Sequence, residues 1–326
     1  MTEFELIRRF FAAQPINRAD VVVGVGDDAA VIACPAGMQL VVTSDTLVEG
    51  VHFFPDSDPV ALGHKALAVN LSDLAAMGAT PVCFTLALAL PRADSNWLER
   101  LCEGIYGLAR RYDVQLVGGD TVRGPLALTI TAHGWVPQGQ AILRSGARAG
   151  DRVYVTGELG DAGIALREEQ RLLTLSQADS AVVTERLTRP MPRVEAGVAM
   201  RGIANSAIDI SDGLVGDLGH ILERSGVGAR IELTRLPISN VYRALLPTLG
   251  WDVALANGDD YELCFTVPAA HTDALNAATA RFGCAITCIG EIVARDGLQI
   301  IDSSGKPYTA KATAHDHFHA QQKLIP

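Results

Sequence analysis

The chain reads as an α/β protein of the α+β type in two domains, and three observations predict it. Apolar and β-branched runs of strand length alternate with helix-length periodic stretches in the order strands, helix, strand, helix, strands, which suits helices layered on one side of a mixed sheet. At Gly146–Asp151 (Gly-Ala-Arg-Ala-Gly-Asp) the composition shifts and a second series begins, which sets the division at residues 1–148 and 149–326. The length of 326 residues, 48% of them hydrophobic and 20% charged, is enough to bury a sizeable core.

Taken in order, residues 3–13 place Phe4, Ile7, Phe10 and Phe11 at helical spacing. Short apolar runs between turn residues predict strands at Asp20–Val25, Ala30–Cys34 and Gln39–Thr43. After Asp58-Pro59, Leu62–Met77 reads as a helix ending at Gly78, and its alanine-rich sequence carries Asn70, Ser72 and Asp73. Polar groups embedded in an apolar helix usually serve hydrogen bonds or ligands. Val82–Leu90 is a strand, Trp97–Tyr112 an amphipathic helix, and Val114–Val117 a short strand running into Gly118-Gly119-Asp120-Thr121. Leu126–His133 alternates as a strand again.

In the second half, strand Arg152–Thr156 leads through Gly157–Gly163 into a helix. Arg189-Pro-Met-Pro-Arg193 breaks the chain before helix Val194–Ile203. Ala207-Ile-Asp-Ile-Ser-Asp-Gly-Leu214 is a strand end running into a helix through Leu222. Strands at Arg230–Leu233, Cys264–Val267 and Ala285–Val293, with a helix over 272–282, complete the series.

A net charge of −10 argues against broad binding to nucleic acid or an anionic membrane. The six cysteines form no Cys-x-x-Cys pair and read as reduced core thiols. The first residues show no signal peptide, and no apolar run approaches the ~20 residues of a membrane span. The expected compartment is the cytoplasm.

Acidic residues recur beside Gly, Ser or Thr at strand ends and turns: Asp27 and Asp28 within Gly24–Ala30, then Asp45, Asp120, Asp209 with Asp212, and Asp259 with Asp260. Asp73 joins them from a helix. Singly, each is what a turn former or helix cap looks like. Together, if they converge, they repel one another unless cations intervene, and oxygen-rich sites of this kind suit hard divalent metals. Carboxylates, cations and glycine-rich backbone are the apparatus of phosphoryl transfer. Backbone approach to phosphate is the role open to Gly118-Gly119 and Gly157–Gly163. Neither a P-loop nor the protein-kinase motifs occur.

Gly-Val-Gly-Asp-Asp-Ala-Ala, Thr-Ser-Asp-Thr-Leu-Val-Glu-Gly-Val-His-Phe, and Lys-Ala-Leu-Ala-Val-Asn-Leu-Ser-Asp-Leu-Ala-Ala-Met-Gly-Ala resemble the thiamine-monophosphate kinase family. So do Gly-Gly-Asp-Thr, Ile-Asp-Ile-Ser-Asp-Gly-Leu, Asp-Tyr-Glu-Leu and the terminal Asp-His-Phe, in the same order along the chain. The resemblance implies the two-domain fold of the aminoimidazole ribonucleotide synthetase superfamily, with an N-terminal mixed sheet that pairs into a barrel in a homodimer. It implies ATP-dependent conversion of thiamine monophosphate to thiamine diphosphate with several Mg²⁺ ions.

By motif, Asp28, Thr43, Ser44, Asp45, Asp73, Asp120, Asp209 and Asp212 would hold metal, with Asp45, Asp120 and Asp209 central to catalysis. Gly119, Asp120, Arg144, Ser211 and Tyr106 would lie toward the nucleotide. His52, Glu262 and Phe318 would hold the thiamine substrate. The chain departs from the family pattern at Asn257-Gly-Asp259, where Gly-Gly-Glu is usual, and at Ala314-His315. His315, His317 and His319 read as solvated tail residues. Three rival readings remain: another ATP-using synthetase of the superfamily, a non-catalytic nucleotide- or metal-binding module, and a metal-dependent phosphohydrolase.

Overall fold

The computed structural model describes residues 2–310, without the side chains of residues 3 and 4; Phe318 and the tail histidines lie outside the described residues. The chain divides into two compact units, one formed by residues 2–74 and 79–139, the other by residues 75–78 and 140–310.

The first unit opens with α1 (Glu3–Leu6), whose helical path continues to Phe11 in a wider turn and buries Phe10 and Phe11. A small hairpin of β1 (Val21–Val23) and β2 (Val31–Ile32) follows, shorter than the runs at 20–25 and 30–34 suggest. Val21 packs with Val82, Val117 and Trp135, which seats the hairpin on the sheet.

The main sheet comprises β3 (Met38–Val48), β4 (Thr80–Leu90), β5 (Gln115–Arg123) and β6 (Ala127–Pro137) in the order β3-β6-β4-β5. β4 and β5 run parallel and the other pairs antiparallel, so the sheet is mixed as expected. Two helices connect its strands, α2 (Pro59–Ala76) and α3 (Ser95–Arg111). Asp94 caps α3 by accepting from the N–H groups of Asn96 and Trp97, both at 3.1 Å, a cap worth about 1 kcal/mol.

α2 and α3 touch backbone to backbone. A Cβ on Gly63 would lie 2.1 Å from the Leu101 carbonyl oxygen, and one on Gly104 would lie 1.9 Å from that of Val60. Only glycine permits this approach.

The second unit is built on a seven-stranded sheet. In chain order its elements are β7 (Arg152–Thr156), α4 (Asp161–Glu169), α5 (Gln177–Thr188), α6 (Val194–Ala199), β8 (Ser206–Ile210), α7 (Leu214–Ser225) and β9 (Gly228–Glu232). Then come α8 (Asn240–Leu249), α9 (Asp252–Ala256), β10 (Glu262–Val267), α10 (Thr272–Ala278), β11 (Ile286–Val293), β12 (Gly297–Ile301) and β13 (Pro307–Tyr308). The strand order is β13-β12-β9-β11-β7-β10-β8, antiparallel except for β9 with β12. β10, flanked by β7 and β8, is buried along its whole length, which is why Leu-Cys-Phe-Thr-Val shows no polar alternation. No described helix is long and apolar enough to cross a membrane.

Candidate active site

In the first unit, strand alternation decides which side chains meet. Thr43 and Asp45 project from one face of β3, and Ser44 and Thr46 from the other. On the first face the Thr43 hydroxyl donates to Asp73 Oδ2 of α2, and Asn70 Oδ1 accepts from the Asp45 N–H at 3.1 Å. Asn70 is held in turn by donating to the Ala66 carbonyl at 3.1 Å. The polar trio of α2 therefore includes the residues that join this helix to β3. Ser44 lies on the opposite face, with its hydroxyl 2.9 Å from that of Thr131.

Asp120 does not join this group. The register runs Asp45–Ile130–Leu86–Gly119 across the sheet, and Asp120 is the next residue of β5. Three strand spacings separate them, roughly 14 Å. β5 also continues through Gly118, Gly119 and Asp120, where the sequence suggests that the strand ends at Val117. A bulge at that point accommodates the run, and Gly119, at φ 150°, sits where a Cβ would lie 1.9 Å from the Leu86 carbonyl oxygen.

Asp27 and Asp28 are exposed on the loop between β1 and β2, and Asp27 Oδ1 accepts the Asp28 N–H at 2.9 Å. His52 lies in the turn after β3, where its Nδ1 accepts from the Val48 N–H at 3.0 Å. Tyr106 is buried in α3 and donates its hydroxyl to the Phe10 carbonyl at 2.8 Å; burial raises its pKa. It also borders a cleft of ≈ 170 Å³ with Arg18, Arg110 and Gln115.

In the second unit, the end of β7, the end of β8 and the start of β10 meet. Leu263 pairs with Asp209 and Glu262 with Ile210. The Asn257–Tyr261 segment wraps the turn after β8: the Asp259 N–H donates to the Ser211 carbonyl at 2.9 Å and that of Tyr261 to Ile210 at 2.8 Å. Asp259 and Tyr261 both adopt positive φ, 70° and 48°, a cost of order 1 kcal/mol each that the surrounding hydrogen bonds sustain.

Asp217 of α7 accepts from the N–H groups of Asp212 (3.1 Å) and Gly213 (3.0 Å), so the Ser211–Gly213 turn is fixed from behind. Burial, with Asp212 close by, pushes the Asp217 carboxyl up to about 7. Both Asp260 oxygens accept from the Gly160 N–H at 3.0 Å, and burial drives that carboxyl well above its usual range. Glu262 is buried and paired with Arg193, which reaches both carboxylate oxygens. Asp209 is buried in β8, while Arg144 is exposed and its carbonyl accepts from the Ser225 hydroxyl.

Arg193 and Asp217 were not singled out for chemistry by the sequence, although Arg193 closes a proline-rich break; Asp260 appeared only as one of the recurring acids, with no role of its own. Their partners are distant in the chain or are backbone groups, and no spacing rule exposes either. Among the described residues no three His, Cys, Asp or Glu side chains are grouped as a metal cage. The hard-oxygen pair Asp45 and Asp73 with Thr43 still suits Mg²⁺, which keeps several waters and takes one or two carboxylates plus phosphate oxygens.

Comparison with known proteins identifies the family. Residues 26–136 match the model of the AIR synthase related protein, N-terminal domain, and residues 148–303 that of the C-terminal domain. A curated thiamine-monophosphate kinase of Escherichia coli (strain K12) is 49% identical over 319 residues, covering 97% of this chain and 98% of that protein. The chain belongs to the thiamine-monophosphate kinase family.

The crystal structure of the thiamine-monophosphate kinase from Stenotrophomonas maltophilia K279a superposes with a TM-score of 0.86 at 46% identity, covering 94% of this chain and 98% of that one. The structure of AaThiL complexed with AMPPCP and TMP superposes with a TM-score of 0.77 at 29% identity, over 97% and 96% of the two chains.

Proposed function

We propose that this chain transfers the γ-phosphoryl group of ATP to the phosphate of thiamine monophosphate, giving thiamine diphosphate and ADP. The observation that carries the reading is the near full-length identity of 49% with a thiamine-monophosphate kinase. The likeness to AaThiL complexed with AMPPCP and TMP supports it.

In this reaction a bond forms between an acceptor phosphate oxygen and the γ-phosphorus while the bond to the β,γ-bridging oxygen breaks. The acceptor oxygen is already ionised near neutral pH, so the protein needs no general base. Its task is to hold donor and acceptor in line and to accommodate charge.

In this reading Thr43, Asp45 and Asp73 would hold one Mg²⁺, and Asp28, Asp120, Asp209 and Asp212 would serve further ions. Ser44, expected among the metal ligands, lies on the other face of β3 with its hydroxyl 2.9 Å from that of Thr131. When bound, Mg²⁺ would neutralise the phosphate oxygens and lower the cost of bringing two phosphates together. Gly119, Arg144, Ser211 and Tyr106 belong to the nucleotide side, with Tyr106 acting through the α3 contact it makes. His52, Glu262 and Phe318 belong to the thiamine side. We assign the reaction to the cytoplasm, where ATP and phosphorylated thiamine are at hand.

We also propose a homodimer built on the first-unit sheet. β3 is an edge strand, and Leu40 (52% exposed) and Val42 (53%) lie on its uncovered face, an apolar surface that a second copy would bury.

Mass spectrometry of thiamine monophosphate incubated with the protein, ATP and Mg²⁺ tests the reaction. Thiamine diphosphate with matching ADP is expected. Free phosphate without diphosphate would indicate a hydrolase, turnover only with aminoimidazole precursors a synthetase, and nucleotide binding without ADP a binding module.

A further inference from the structure

We propose that Arg193 is the positioning residue of Glu262, and that it turns this buried carboxylate into a neutralised, directional hydrogen-bond acceptor for thiamine monophosphate. The inference rests on the reading of Glu262 as a substrate contact. Arg193 donates Nε to Oε2 at 2.6 Å and its Nη2 to Oε1. Thr156 Oγ1 donates to Oε2 at 2.6 Å. That hydroxyl is itself oriented, because it accepts the Leu263 N–H at 2.8 Å and has only one proton to give. Oε2 therefore receives two donors and Oε1 one.

Gly157 lies beside the less occupied oxygen: a Cβ there would fall 2.0 Å from Oε1. The absence of a side chain at Gly157 is what lets the carboxylate occupy this place, since a Cβ would also fall 2.3 Å from its Cδ. The side chains of Arg193 and Glu262 are 13% and 4% exposed, so their charges compensate each other out of solvent. Glu262 is thus poorly suited to act as counter-ion to a thiazolium. What it retains is an acceptor lone pair, suited to an N–H donor such as the exocyclic amine of an aminopyrimidine. A lysine would supply the charge but not the planar fork that fixes both oxygens.

The test measures the affinity for thiamine monophosphate by calorimetry without ATP, together with KM for each substrate and the thermal midpoint. The variants are Arg193→Lys, Arg193→Met, Glu262→Gln and the double variant Arg193→Met/Glu262→Gln. Both Arg193 variants are expected to weaken thiamine monophosphate tenfold or more with KM for ATP unmoved. Adding Arg193→Met to Glu262→Gln should weaken it no further. The double variant removes both charges, so it and Arg193→Lys carry the comparison if Arg193→Met does not fold.

Equal losses from Arg193→Met with and without Glu262→Gln would mean that Arg193 acts on the substrate itself and would overturn the proposal. A lowered thermal midpoint with unchanged substrate affinity would reduce Arg193 to a structural role and overturn it too. Wild-type affinity in Glu262→Gln alone would instead remove Glu262 from the substrate site, a separate failure that takes the proposal with it.

Discussion

At the scale of single residues, the informative carboxylates are those whose removal separates chemistry from folding. Around Asp45, β3 is held by its backbone pairing with β6 and by Asn70 against the Asp45 N–H, contacts that an asparagine at this position keeps. Asp45→Asn should lower turnover at least ~100-fold with a thermal midpoint near wild type. Near-normal turnover in that variant would remove Asp45 from the phosphate site. Asp20 makes the opposite case. Arg18 donates to both its oxygens, at 2.8 and 2.9 Å, and Trp135 Nε1 donates at 3.1 Å. The hydrogen bonds from Arg18, then that from Trp135, lower its pKa in the folded state. A depressed folded value means that the stabilisation is present above the unfolded pKa, near 4, and is lost as pH falls through the folded one. Asp20→Asn should therefore cost about 1 kcal/mol at neutral pH, with the gap from wild type closing in denaturant titrations toward pH 3. A gap that persists in acid would rule out the ion pair as its source.

At the scale of elements, the contact of α2 and α3 sets where Asp73 stands. Gly104→Ala must push the helices apart, because its Cβ would lie 1.9 Å from the Val60 carbonyl oxygen and 2.8 Å from the His64 nitrogen. A loss of 1–3 kcal/mol in urea unfolding is expected, roughly the cost of overpacking, with turnover falling as Asp73 moves from Thr43. An unchanged unfolding midpoint would show that the helices can part freely. Much of this unit was legible in the sequence. Asn70 and Asp73 stood out because polar groups are costly in an apolar helix, and they are the residues that reach β3. The run through Gly118–Asp120 misled because glycine usually ends a strand, whereas here it lets β5 press against Leu86. In the second unit α5, α8, α9, β12 and β13 escaped notice. α8 carries Pro247, and β12 begins at Gly297, both read ordinarily as breaks. The Arg193–Glu262 pair was illegible for another reason: 69 residues separate its members, and only the fold brings the start of α6 to β10.

At the scale of the whole molecule, β3 is both the bearer of Asp45 and the exposed edge of its sheet. Leu40→Glu with Val42→Glu should convert the proposed dimer to a monomer in light scattering, with little change in secondary structure by circular dichroism. An unaltered mass would place any interface elsewhere. The same strand has a history during synthesis. Among the described residues its sole partner in the sheet is β6, paired from Met38 with Pro137 to Val48 with Ala127. A nascent chain must therefore close a loop of at least about eighty residues before β3 can be zipped in, an entropic delay that local contacts do not shorten. At translation speeds of about 5–20 residues per second, the strand waits on the order of 5–20 seconds with its apolar residues uncovered. Whatever shields nascent strands from one another in that interval decides how much of the Asp45 strand is correctly installed.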